Sequence, residues 1–285
     1  VTTSTTSLSK SATGRNAAVA APRFPLRSHI RLILVSGEMY LKQAATDVFV
    51  VFTVFVQPLI IALLALYMLR GTDAGQAIFI VVGSALTGLW SGVLFMGGNA
   101  ITAERWNGTL EPVVVAPAPL ITVIIGKNLA NVAQSVTSMV LAYGVGLAFF
   151  GYTLRIDQPI LFAVSLVLAM FSFVTFAMLL APIFLVNPAV QSLQNGLEFP
   201  IYILAGFMFP VALLPMWTTP LSYALAPYWA ARALHGTSSG GADIGEVLFC
   251  WGMMALSGAI YLGIATLLFR TLLYKVRVDA TLNMQ

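Results

Sequence analysis

The sequence predicts an all-α integral membrane fold with six transmembrane helices, and three observations carry that prediction. Of the 285 residues, 59% are hydrophobic and only 8% are charged, against about 25% charged in soluble domains. So few charges cannot coat a water-facing surface around a core, and the mean hydropathy of +0.91 makes lipid the solvent. The apolar residues form long unbroken runs, without the period-two alternation of a membrane barrel. The basic residues, finally, gather in alternate connections between those runs.

Residues 1–27 open "VTTSTTSLSKSATGRNAAVAAP" and carry Lys10, Arg15 and Arg23. With no apolar signal-peptide core, they predict a disordered cytoplasmic tail. In "SHIRLILVSGEMYLKQAATD", residues 28–47, Ile30, Ile33, Leu34, Leu41 and Ala45 share one helix face. Arg31, Glu38 and Lys42 share another, with Glu38 four residues before Lys42 in the favourable order. Such a segment is either a helix lying in the membrane interface or a plain lead-in to the first span.

The predicted spans are Val48 to Leu69, Ile78 to Ala100, Leu120 to Phe150, Ile160 to Val186, Pro188 to Pro210 and Val247 to Phe269. Each can cover about 30 Å of hydrocarbon at about 1.5 Å per residue. The third is longer than crossing requires. Its early part, "GKNLANVAQSVTS", is polar on one side and so begins outside the hydrocarbon.

Between the fifth and sixth spans, residues 207–236 are apolar but are interrupted by Pro210, Pro215, Pro220 and Pro227. No remaining run is long enough to cross. Thr219 with Pro220 predicts a helix start and Gly236 a stop, while Trp217, Tyr223, Tyr228 and Trp229 favour a membrane interface. The segment therefore predicts short re-entrant or surface helices on one membrane face. Residues 271–285 form a C-terminal tail.

Six spans place both termini on one side. That side holds Lys10, Arg15, Arg23, Arg27, Arg31, Lys42, Arg105, Lys127, Arg270, Lys275 and Arg277; the other holds Arg70, Arg155 and Arg232. The bias makes the termini and residues 101–120 cytoplasmic. It also explains the net charge of +4 without invoking nucleic acid.

Few residues offer chemistry. Cys250 is the single cysteine and sits in an apolar run, which reads as packing and excludes an internal disulfide. His29 and His235 lack metal-ligand spacing and read as surface histidines, so no metal site is expected. Ser84, Gly88 and Gly92, and again Ala255, Ala259 and Gly263, recur every four residues, a spacing that lets helices approach closely. Packing within one subunit is favoured over a subunit interface. Glu198, in "QNGLEFPIYIL", is the one acid well inside a predicted span. It is either a cavity-facing polar contact for substrate, costing about 2.5–3.5 kcal/mol to insert, or part of a cytoplasmic turn before Pro200.

The cytoplasmic stretch "ITAERWNGTLEPVVVAPAPL", residues 101–120, is more elaborate than a reversal needs. Gly108 ends any helix continuing from the second span; Thr109 can cap a new one, with Pro112 in its first turn. That stub would carry three valines on one flank and stop before Pro117 and Pro119. With a Gly126-Lys127 pair following, the stretch resembles the coupling segment of ABC type-2 exporter permeases. The matching positions are Glu104, Arg105, Gly108, Thr109, Leu110, Glu111, Pro117, Gly126 and Lys127. Trp106 stands where a second glutamate is usual, and Pro112 is a further departure.

The resemblance covers most of residues 28–270. It extends to the proline- and aromatic-rich segment, which looks like the family's external re-entrant helices. It implies that Glu104, Arg105, Trp106, Gly108, Thr109, Leu110 and Glu111 dock on a separate ABC ATPase subunit that binds ATP and Mg. It further implies two permease subunits, identical or related, enclosing a pathway through the membrane. This chain lacks the phosphate loop itself, since Asn128 follows Gly126-Lys127 and position 121 is Ile121. Lys127 reads instead as a lysine snorkelling to the cytoplasmic face.

Apolar spans suit an amphiphilic cargo such as a drug, lipid or natural product better than a polysaccharide. A proton-coupled carrier would rest on Glu198 alone. A membrane enzyme would need clustered acids, whereas Asp47, Asp73, Asp157, Asp243 and Asp279 are scattered.

Overall fold

Hydrocarbon offers no partner to a backbone N–H or C=O, so an apolar run in lipid closes its hydrogen bonds within itself. The computed structural model describes residues 25–68, 74–109, 120–150, 156–186 and 194–279. All regular structure among these residues is helical. The predicted tail up to residue 24 and the predicted stub with Leu110, Glu111 and Pro112 lie outside the described residues.

Helix α1 (Leu26–Thr46) ends at Asp47, whose carboxylate accepts hydrogen bonds from the amides of Phe49 (2.9 Å) and Val50 (3.4 Å). This N-cap starts α2 (Val48–Val51), which passes through a π-helical turn (Phe52–Val56) into α3 (Gln57–Met68). Helix α4 (Ala74–Ser91) likewise continues as a π-helical turn (Gly92–Gly97), and α5 (Thr102–Trp106) follows. The longer helices are α6 (Leu120–Phe150) and α7 (Pro159–Val186). After α8 (Gln194–Leu204) come two 3-10 turns, then α9 (Thr219–Ala224), α10 (Ala226–Ser239) and α11 (Ile244–Asp279).

Three helices among the described residues are long and apolar enough to cross a membrane: Ile78–Gly97, Pro159–Val186 and Ile244–Thr271. They occupy different depths in the bundle. The first is 94% buried and packs against α3, α6, α7 and α10, whereas the last is 22% buried and lies outside α7 and α10.

Small residues make the central position possible. Ser84, Gly88 and Gly92 are buried within the chain, as expected for packing inside one subunit. Gly92 faces Asn131 and Ser135 of α6, and Gly98 faces Phe184 of α7. A Cβ at Gly97 would lie 2.6 Å from that of Ala177 and would collide with Asn128. The second repeat behaves differently from expectation. Ala255, Ala259 and Gly263 are exposed on α11, because that helix packs on α7 and α10 along another face, where Met254, Gly258 and Ala265 are buried.

The prolines between α8 and α10 act as the sequence predicts. Pro210 and Pro215 precede the 3-10 turns, and Pro220 and Pro227 occupy the first turns of α9 and α10, where a missing N–H costs nothing. Two details are corrected. The N-cap position of α9 is Thr218, not Thr219. Helix α10 runs through Gly236 and stops at left-handed Gly240 (φ 69°), because its last carbonyls still find donors in Asp157 N (3.3 Å) and Gln158 N (3.2 Å).

Of the four interface-type aromatics, Trp217 and Tyr223 are exposed. Tyr228 and Trp229 are buried, with Trp229 Nε1 donating to the Tyr223 carbonyl (2.9 Å). His235 is no surface residue either: it stacks on Phe79 at 3.7 Å and is 8% exposed.

Gly97→Val is expected to lower the stability of the purified protein by about 1–3 kcal/mol through overpacking. Gly144→Ala, at a position with nothing within 4 Å, should be tolerated. Thermal unfolding in detergent separates the two.

Candidate functional site

The first feature hangs beneath the central helix. Helix α5 ends in a left-handed cap: Gly108 adopts φ 69°, its amide donates to the Arg105 carbonyl (3.1 Å), and the Thr109 amide donates to that of Glu104 (2.9 Å). A glycine accepts this backbone shape without Cβ strain. A short helix therefore lies before Gly108, where the sequence predicts none; the stub predicted after it falls outside the described residues. The Thr109 hydroxyl turns back to donate to the Glu104 carbonyl (3.3 Å) and to Glu104 Oε2.

Glu104 Oε1 receives Lys127 Nζ of α6, and the two side chains are only 15% and 12% exposed. Lys127 thus does not snorkel to water. A carboxylate is within reach, and pairing is cheaper than leaving half-buried charges apart. Burial pushes the Glu104 carboxyl up. The hydrogen bonds from Lys127 and Thr109, with the Lys127 charge, outweigh it and hold the group below its ordinary value. Among the other sequence-predicted docking residues, Arg105 is half-buried and Trp106 is 69% exposed. Leu110 and Glu111 lie outside the described residues.

The head of α6 carries a second attachment. A Cβ at Gly126 would collide with Ser36 Oγ and lie 2.5 Å from the Ile33 carbonyl, so this glycine seats α1. His29 Nδ1 lies 3.2 Å from Thr122 Oγ1, and the Tyr40 hydroxyl donates to Asn131 Oδ1 (3.1 Å). These pairings climb both helices together, so α1 runs alongside α6 in the same direction. Ser36 and Gly37 face α6 and Ala44 packs with Val50, leaving Ile30, Leu34 and Leu41 of the predicted apolar face exposed.

The third feature is a polar seam inside the bundle. Glu198 lies in mid-helix and is 7% exposed, so it is not in a turn before Pro200. Its Oε1 accepts Tyr202 OH (2.6 Å), Ser91 Oγ (2.7 Å) and Gln57 Nε2 (3.2 Å). One turn earlier, Gln194 Nε2 donates to the Leu94 carbonyl (2.5 Å) and Gln194 Oε1 accepts from Asn99 Nδ2 (3.2 Å). Sequence reading singled out Glu198 but missed its partners. Gln194, Glu198 and Tyr202 recur every four residues, as do Ser91, Phe95 and Asn99, so each set shares a face and the signal was present.

The seam opens at its Asn99 end into a cavity of about 430 Å³, walled by α1, α2, the Gly92–Gly97 turn and α5. At the other end of the central helix, a cavity of about 280 Å³ is bordered by His235 and the Arg232–Glu246 ion pair. Among the described residues no group of three or more His, Cys, Asp or Glu could hold a metal ion.

The family described as ABC-2 type transporter matches residues 32–238. That stretch contains the Glu104–Lys127 clasp, the α1 seat and the whole seam. No curated protein matches the chain.

A double-mutant cycle of Glu104→Gln and Lys127→Met, read as thermal stability, should give a coupling of about 1 kcal/mol near neutral pH. Because folding lowers the Glu104 pKa, this stabilisation is complete above the ordinary carboxylate range and disappears as pH falls through the lowered value. A coupling that persisted unchanged into acid would contradict the ion pair.

Proposed function

The chain belongs to the ABC-2 type transporter family, and from that premise we propose that it is the permease subunit of an ATP-driven exporter of amphiphilic molecules. Its family and its apolar helices make it a multi-pass membrane protein serving transport. The finer reading has six spans, both termini in the cytoplasm and the α5 segment beneath the cytoplasmic membrane. Two such subunits, identical or related, enclose the pathway, and a separate ABC ATPase binds ATP and Mg.

The observation that carries this reading is the clasp between Glu104 and Lys127. Helix α5 continues the central helix, whose Ser91 holds Glu198, while the clasp fastens it to the head of α6. A push on the segment therefore moves two helices at once, one of them lining the seam. Glu198 supports a substrate-facing role because its carboxylate is buried yet held by donors from α3, α4 and α8. An apolar bundle threaded by one polar seam suits a cargo with a polar head and an apolar body.

The test is to purify the chain with the products of its genomic neighbours and to reconstitute the complex in vesicles. The ATPase should co-purify, Glu111→Arg should release it, and vesicle transport should require ATP. Lys127→Met should leave the ATPase bound and hydrolysing while lowering transport about tenfold, since it cuts the mechanical link and not the docking surface. Transport indifferent to ATP but driven by a pH gradient would favour a proton-coupled carrier working through Glu198.

A further inference from the structure

The cavity of about 430 Å³ has a wall chemistry that its position alone does not require. Tyr40, Phe49, Phe95 and Trp106 contribute aromatic rings, with Phe49 and Phe95 edge to face at 6.0 Å. Among the described residues of the lining, Asp47 is the one acid and Lys127 the one base, and Lys127 is neutralised by Glu104. Asp47 caps α2 through Oδ1 and borders the cavity. Inward from the cavity, Asn99 and Gln194 lead to Glu198 one turn further along α8. Outward, Val48, Phe52, Val56 and Ile60 form an exposed apolar ridge along one face of the first span.

Resting on the exporter reading, we propose that this cavity is the loading site for an amphiphilic organic cation, a protonated or quaternary amine with an apolar tail. Aromatic faces and one carboxylate attract such a head, which then meets a second carboxylate further along the seam. The tail lies along the Val48–Ile60 ridge in lipid. An anionic head would meet two carboxylates, and the lysine of the lining is already paired with Glu104.

The test uses the full chain in nanodiscs of zwitterionic lipid, with Cys250→Ala removing the one buried native thiol. Gln43→Cys places a thiol at the exposed rim of the cavity, and Leu213→Cys places a control thiol on the turn after α8. Labelling by an uncharged maleimide is timed in the presence of dodecyltrimethylammonium or dodecyl sulfate. The cation should protect position 43 at concentrations about tenfold lower than the anion does, and leave position 213 unprotected. Asp47→Asn, which keeps a cap-competent side chain, should abolish that preference. Phe49→Leu, which keeps bulk without a π face, should weaken it. Equal protection by both surfactants, or a cation preference that survives Asp47→Asn, would overturn the assignment. A protein that binds its ATPase but shows no preference refutes the cation site alone; a preference with no ATPase partner refutes the exporter reading alone.

Discussion

Burying a carboxylate in an apolar bundle requires donors brought from several helices, and the Glu198 cluster shows what that demands of the surroundings. Gln57, Ser91 and Tyr202 must all reach Oε1 together. Only a helix enclosed on all sides can present Ser91 there without also exposing it to lipid. The close packing at Gly92, Gly97 and Gly98 is what encloses it. Seam, cavity and clasp all depend on that central helix being surrounded.

The two attachments at the head of α6 differ in kind, and the difference matters. Gly126 holds α1 by shape, through a close approach that tolerates no Cβ. Lys127, the next residue, holds α5 by charge and faces another way. One contact is stiff and insensitive to salt or pH; the other is polar and half-buried, and can yield. Adjacent residues thus fix one neighbour and hold another reversibly.

What could be read from the sequence followed the range of the interaction. The prolines of the α8–α10 segment are local signals whose placements agree with the structure. Three of the predicted apolar runs recur as helices long enough to cross, whereas the predicted fifth span, read as far as Pro210, has its helix end at Leu204. Glu104 and Lys127 are separated by 23 positions and Gln57 and Glu198 by 141, so no periodicity joins them. For the same reason Lys127 read as snorkelling and His235 as exposed. The four-residue spacing of Gln194, Glu198 and Tyr202 was local and available. The stripe at Ala255, Ala259 and Gly263 shows the opposite failure, since spacing alone does not say which face of α11 meets a neighbour.

The π-helical turn at Gly92–Gly97 sets a phase between what lies on either side of it. Each residue of an α-helix turns the chain by about 100°, and a π turn accommodates one residue more than regular winding would. Ser91 before the turn points at the seam, and Glu104 beyond it points at α6. Shortening the turn by one would leave every local hydrogen bond satisfiable yet swing the acid away from its lysine. The interval between the two residues therefore works as a fixed gear ratio, in which length, more than composition, keeps the inside and the underside of the protein in step.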